Sequence, residues 1–183
     1  PWEELAAIPE TYYTSFGCYK NLRISPDDRI LVRGASSAAG LAFCNLVKSH
    51  FPNIKIYAST QNITKKDILL ANGFDDIILD DNYILKTDGS FDKILELIGP
   101  RSIKDSLRHL NRFGIICSAG QLGEKWFLED FDPIMELKND VYLTTFYSGN
   151  VDHERIKELF DFIDENNVVV KPNKVFKLSE IKA

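Results

Sequence analysis

The sequence predicts an α/β fold built on a doubly wound sheet of six parallel strands in the order 3-2-1-4-5-6. Three observations predict it. Short apolar runs of strand length alternate with longer segments whose apolar residues recur at helical spacing. Glycine and small polar residues punctuate the junctions, where the chain must turn from strand to helix. Right-handed crossovers between successive parallel strands then favour the doubly wound order. At 183 residues, 44% hydrophobic and 27% charged, the chain carries enough apolar material for one sizeable core.

Taken in order, residues 2–19 have apolar positions at helical spacing broken by Pro9, a turn followed by a helix that leads into the sheet. Ile30–Arg33 reads as the first strand, Ala38–Ser49 as a helix, and Ile54–Ser59 as the second strand. Thr64–Asn72 follows as a helix closed by Gly73, and Asp76–Leu79 as the third strand, with Asp75–Asp76 and Asp80–Asp81 read as solvated turns beside it. The second half repeats the scheme: strand Phe91–Leu97, helix Ser102–Leu110, strands Gly114–Ser118 and Val141–Phe146, and a last helix over Asp152–Asn166. The loop Gly120–Asp130, with Trp126 and Phe127, reads either as a lid or as a packed aromatic loop.

The strand Ile30–Arg33 runs into Gly34, Ala35, Ser36, Ser37, Ala38, Ala39 and Gly40, a degenerate form of the glycine fingerprint with serine in its middle. A small-residue turn from a strand onto a helix N-terminus exposes backbone N–H groups, and the helix dipole adds to their attraction for a dinucleotide pyrophosphate. The same turn also suits plain strand–helix packing, so its neighbours carry the argument. In the doubly wound order, Gly34–Gly40, Ser59–Gln61, Leu97–Gly99 and Ser118–Gln121 gather at the C-terminal strand edge around one crevice. That arrangement predicts a Rossmann dinucleotide site.

An acidic residue closing the second strand would favour NADH by binding the ribose hydroxyls and repelling a 2′-phosphate. Here Ser59, Thr60 and Gln61 stand in its place, with Lys65 and Lys66 one turn on, so NADPH (NADP) is expected to be preferred over NADH, the alternative being that both lysines only solvate the first turn of the next helix. The missing acid also speaks against an S-adenosylmethionine methyltransferase.

Other classes are set aside by composition. A net charge of −5 argues against nucleic acid as a partner. Cys18, Cys44 and Cys117 are scattered, without a CxxC pair, which points to a reducing cytoplasmic setting. His50, His109 and His153 are equally scattered, and no metal site is expected. No apolar run approaches the ~20 residues that cross a bilayer. No acid–base or nucleophilic constellation can be assembled from spacing, and the catalytic residues are unknown. Hydride transfer does not require one, because the cofactor carries the chemistry.

Trp2–Thr11, Gly34–Gly40, Leu95–Gly99, Gly120–Pro133 and Tyr142–Gly149 together resemble the cofactor domain of the medium-chain dehydrogenase/reductase superfamily, in its quinone-oxidoreductase-like branch, whose members are often labelled zinc-type alcohol dehydrogenases. The resemblance covers nearly the whole chain. It implies that Gly34–Gly40 contacts the pyrophosphate, with Ser37 and Ala38 where paired glycines are common. It implies that Lys65 shares the 2′-phosphate contact, with Gln61 where NADPH-using members often have arginine. Thr14, Ile98, Gly99, Ala119 and Gly120 would lie near the nicotinamide half, and Tyr83 near the adenine. Glu10 falls where zinc-dependent relatives carry a ligand but has no companion, and reads as structural.

The resemblance further implies an NADPH-dependent enzyme moving hydride to a quinone, enone or carbonyl substrate, or from an alcohol. Pro1 and Ser179–Ala183 read as cut ends: residues 1–28 lead in from an absent GroES-like substrate domain, 29–170 form the Rossmann domain, and 171–183 begin the return. Such a fragment would bind cofactor and turn over poorly. The strand Val141–Phe146 would pair with its twofold mate in a homodimer. The alternative is a non-catalytic NADP(H)-binding sensor or interaction module.

Overall fold

A computed structural model describes residues 1–137, 140–170, 172 and 174–180. The expected return over 171–183 therefore falls partly outside the described residues, at 171, 173 and 181–183.

The chain opens with α1 (Trp2–Ala7) and a π-helical turn (Ile8–Tyr12) that runs into α2 (Tyr13–Leu22). Pro9, which has no backbone N–H to donate, falls in the π turn. Then come β1 (Arg29–Arg33), α3 (Ala38–His50), β2 (Lys55–Thr60), a 3₁₀ turn (Ile63–Lys65) and α4 (Lys66–Ala71). They are followed by β3 (Asp76–Asp81), β4 (Ile84–Leu85), β5 (Phe91–Glu96), α5 (Ile103–Arg108) and β6 (Leu110–Ser118). The short α6 (Pro133–Glu136), β7 (Tyr142–Thr145), α7 (His153–Glu165) and a 3₁₀ turn (Leu178–Glu180) complete the described chain.

Among the described residues the sheet has seven strands in the order β4-β3-β2-β1-β5-β6-β7, not six. All neighbours are parallel except β3 and β4, where Asp80 pairs with Leu85 and Asp81 with Ile84. The added strand changes both count and order. A two-residue hairpin arm is too short to produce a readable alternation.

Each face of the sheet is covered. Ile30 and Val32 point to the side of α2, α3 and α7, packing with Phe16, Leu22, Phe43, Leu46 and Leu159. Leu31 and Ile94 point to the other side, against Ile103 and Leu107 of α5. Burial on both faces explains the unbroken apolar character of β1, where only Arg29 is exposed. Among the described residues no helix is long and apolar enough to cross a membrane.

Candidate functional site

The glycine turn forms as a tight connection. Gly34 adopts φ +78°, and the Ser37 N–H donates to the Gly34 carbonyl at 3.0 Å. Ser37 then caps α3, its Oγ accepting from the Gly40 N–H at 3.1 Å. A Cβ on Gly40 would stand 2.7 Å from the Ala35 carbonyl oxygen, so the helix can start this close to the turn only with glycine there.

Across the crevice, β5 and β6 end in a second close approach. A Cβ on Gly99 would lie 2.6 Å from the Gly120 carbonyl oxygen, and one on Gly120 would collide with that of Leu97. The Leu122 and Gly123 N–H groups donate to the Leu97 and Ile98 carbonyls at 3.1 and 2.8 Å. The start of the Gly120–Asp130 loop is thus fastened to the end of β5. Trp126 and Phe127 are 64% and 76% exposed, so those two rings do not pack against the described residues of this chain.

A crevice of about 470 Å³ opens at this edge, of a size ordinary for a small-ligand site. Of the residues expected there, Gly34, Ser36, Ser37, Ser59, Thr60, Gln61, Lys65 and Ile98 line it. Lys65 Nζ donates to Ser36 Oγ at 3.1 Å, joining the glycine turn to the end of β2. Ala35, Ala38, Ala39 and Gly40 form the turn and helix start behind it, while Gly99, Ala119 and Gly120 sit at the ends of β5 and β6. Thr14 lies on α2 outside the crevice wall; its Oγ1 is buried with no hydrogen-bond partner among the described residues. Tyr83 lines a neighbouring pocket instead, its ring 5.4 Å from the Arg101 guanidinium. A larger cleft of about 770 Å³ runs along α3 from Ala38, at its start, towards Phe176.

Beneath the crevice is a feature the sequence reading missed. Arg33, the last residue of β1, is fully buried. Its Nη2 pairs with Asp80 at 2.5 Å and donates to the Tyr83 carbonyl at 2.9 Å; its Nη1 donates to Asp105 at 2.7 Å and Ser106 Oγ at 3.0 Å. Glu96, its register partner on β5, stands 3.9 Å from Nε and accepts from the Ile98 and Gly99 N–H groups. Burial pushes the Glu96 carboxyl above its ordinary range, opposed chiefly by the Arg33 charge. Asp80 is therefore no solvated turn residue: at 3% exposure it is held inside by Arg33. Asp75 also differs from that reading, since it binds Lys48, Lys55 and the Ile56 N–H. The signal lay in the two-residue period. Arg33 follows Leu31, Asp80 follows Ile78 and Glu96 follows Ile94, each charge two residues beyond an apolar residue on one face.

Residues 72–183 match the zinc-binding dehydrogenases. The chain belongs to that family. It is a quinone-oxidoreductase-like domain of the medium-chain dehydrogenase/reductase superfamily. The quinone oxidoreductase of Rattus norvegicus is 27% identical over 126 residues, 64% of this chain and 38% of the relative. That of Mus musculus is 26% identical over 128 residues, again 38% of its length. Among solved structures, the quinone oxidoreductase from Thermus thermophilus, determined also with NADPH, superposes with a TM-score of 0.71 at 20% identity, over 87% of this chain and 52% of that one. Bacillus subtilis protein yhfP with NAD bound gives 0.78 at 16% identity, over 94% and 53%. The chain spans well under two thirds of the length of each.

The family's name implies zinc, and the residues described here do not fit it. Among them no three His, Cys, Asp or Glu side chains converge to hold a metal ion. Glu10 sits exposed in the π turn. All three cysteines are buried, and burial raises the Cys44 thiol to about 12, far from a reactive or ligating thiolate.

Proposed function

We propose that this chain is the cofactor-binding part of an NADPH-dependent oxidoreductase that moves hydride to a quinone, enone or carbonyl substrate, or from an alcohol. The observation that carries the reading is the Lys65–Ser36 bridge in the crevice, with Ser59–Gln61 in place of an acid at the end of β2. A pyrophosphate fits the Gly34–Gly40 turn, and a 2′-phosphate fits the Lys65 ammonium with the Ser36 and Ser59 hydroxyls. Several structural neighbours were solved with NADPH, NADP or NAD, which supports a nicotinamide cofactor.

When bound, the cofactor would supply the hydride in a reduction and accept it in an alcohol oxidation. This chain's part is to hold and orient it. Ile98, Gly99, Ala119 and Gly120 offer backbone at the β5 and β6 ends for the nicotinamide half, and Thr14 on α2 keeps a buried hydroxyl without a partner among the described residues. In this reading residues 1–28 lead in from a substrate domain, 29–170 bind cofactor and 171–183 return, and the chain alone turns over poorly. The assembly is a homodimer through β7.

Calorimetric titration with NADPH and NADH in one buffer tests the reading. NADPH binds more tightly, and Lys65→Ala weakens it about tenfold, the ~1.5 kcal/mol of one charge-assisted hydrogen bond, while leaving NADH nearly unchanged. Equal affinity for both, indifferent to Lys65, overturns the NADPH preference.

A further inference from the structure

One polar atom at the crevice is left without a partner. Asp80 lines the crevice and is 3% exposed. Its Oδ2 receives Arg33 Nη2, but its Oδ1 is buried and has no donor among the described residues. A carboxylate oxygen can only accept, and a buried acceptor left without a donor is uncommon and costly. The side chain is not free to turn towards water, because Arg33 grips the other oxygen while Asp105 and Ser106 hold the guanidinium. A fixed, desolvated acceptor at the wall of a binding crevice points to a donor on the ligand.

Its place in the sheet says which donor. Ser59 pairs with Ile78 and Thr60 with Leu79, so Asp80 stands one step past the last β2–β3 pair, on the face of Ser59. Along the C-terminal edge the glycine turn belongs to β1, Ser59–Gln61 to β2 and Asp80 to β3. A dinucleotide with its pyrophosphate on the first and its phosphorylated ribose at the second brings its base to the third. Adenine has a single hydrogen-bond-donating group there, the exocyclic 6-amine. Leu122, which also lines the crevice and is 58% exposed, gives a flat face of the base an apolar wall.

We propose that Asp80 Oδ1 accepts a hydrogen bond from the 6-amino group of the cofactor's adenine, so that Arg33, by orienting Asp80, sets base specificity. The proposal rests on the dinucleotide reading of the crevice. Replacing adenine by hypoxanthine exchanges the donor amine for an acceptor carbonyl, which the carboxylate rejects. Asp80→Asn keeps an acceptor for Arg33 through its amide oxygen and turns an N–H₂ donor towards the base, reversing the preference.

The experiment is calorimetric titration of the wild-type chain and of Asp80→Asn with NADPH and with its hypoxanthine analogue. The wild type binds NADPH roughly tenfold or more tightly than the analogue, and in Asp80→Asn the ratio falls to about one or below. Equal affinity of the wild type for the two overturns the Asp80 assignment and leaves the dinucleotide reading standing. A wild-type preference that survives intact in a folded Asp80→Asn overturns it as well. If Asp80→Asn does not fold, the wild-type ratio decides alone. Binding of neither dinucleotide removes the assignment together with the reading it rests on.

Discussion

Glu96 is the residue at which burial and charge compete most directly. It is fully buried, accepts from the Ile98 and Gly99 N–H groups at 2.8 and 3.2 Å and receives the Ser106 hydroxyl. One cation, Arg33, serves Asp80, Glu96 and Asp105 together, so three charged carboxylates would leave a buried excess of negative charge. Burial raises the Glu96 carboxyl above its ordinary value of 4.5, and a proton on it relieves that excess. For an acid with a raised folded pKa, the native state binds the extra proton. The stability this brings is complete below the unfolded value and is lost as pH rises through the folded one. Glu96→Gln removes the titration. In thermal melts from pH 4 to 8, the wild type's advantage over Glu96→Gln is therefore largest near pH 4 to 4.5 and shrinks as pH rises. An advantage that grows with pH contradicts the raised carboxyl. The same side chain bonds the turn that carries Ile98 and Gly99, so this titration reaches the wall of the crevice.

The elements most legible in the sequence were those whose pattern is long and locally determined. Helix α7 is one: Asp152–Asn166 was expected and His153–Glu165 forms, with Asp152 as its N-cap accepting from the Glu154 N–H at 2.9 Å and Leu159 fully buried beneath it. Asp152→Ala lowers stability by about 1 kcal/mol and speeds hydrogen exchange over the first turn of α7 while leaving α3 unaffected; unchanged exchange there shows the cap idle. The glycine turn and the end of β2 were legible for the same reason, since backbone geometry and the missing acid are local. What could not be read was set by partners distant in sequence. β4 exists because Leu85 finds Asp80 and its N–H finds Asp105. α5 ends at Arg108, before Leu110 opens β6, whereas the apolar pattern continued the helix to Leu110. Asp80 and Asp81 look alike as neighbours, yet Asp80 is inside and Asp81 outside because Arg33, 47 residues away, lies on one face of the sheet.

At the scale of the whole molecule the sheet is protected at one end and open at the other. At the β4 end the outer strand is only two residues long, too short to template another chain. At the β7 end, Tyr142–Thr145 forms the edge among the described residues, bonded to β6 on one side, with Tyr142 and Tyr147 at 55% and 72% exposure. Behind it the edge is rigidly backed: the Phe146 ring packs edge-on to Tyr13 at 5.7 Å, and Thr145 Oγ1 donates to the Ser118 carbonyl at 2.7 Å. A held strand that pairs with no second strand among the described residues and carries exposed aromatics suits parallel sheets joined edge to edge across a twofold axis, where each copy bonds the other's free edge. Light scattering behind a sizing column then gives about twice the 20.9 kDa of the chain at micromolar concentration. Tyr142→Lys, at an exposed site where a charge leaves the fold intact, returns the mass to that of a single chain with an unchanged melting temperature for the monomer. A wild type that elutes at the monomer mass even at high concentration removes β7 as the dimer seam.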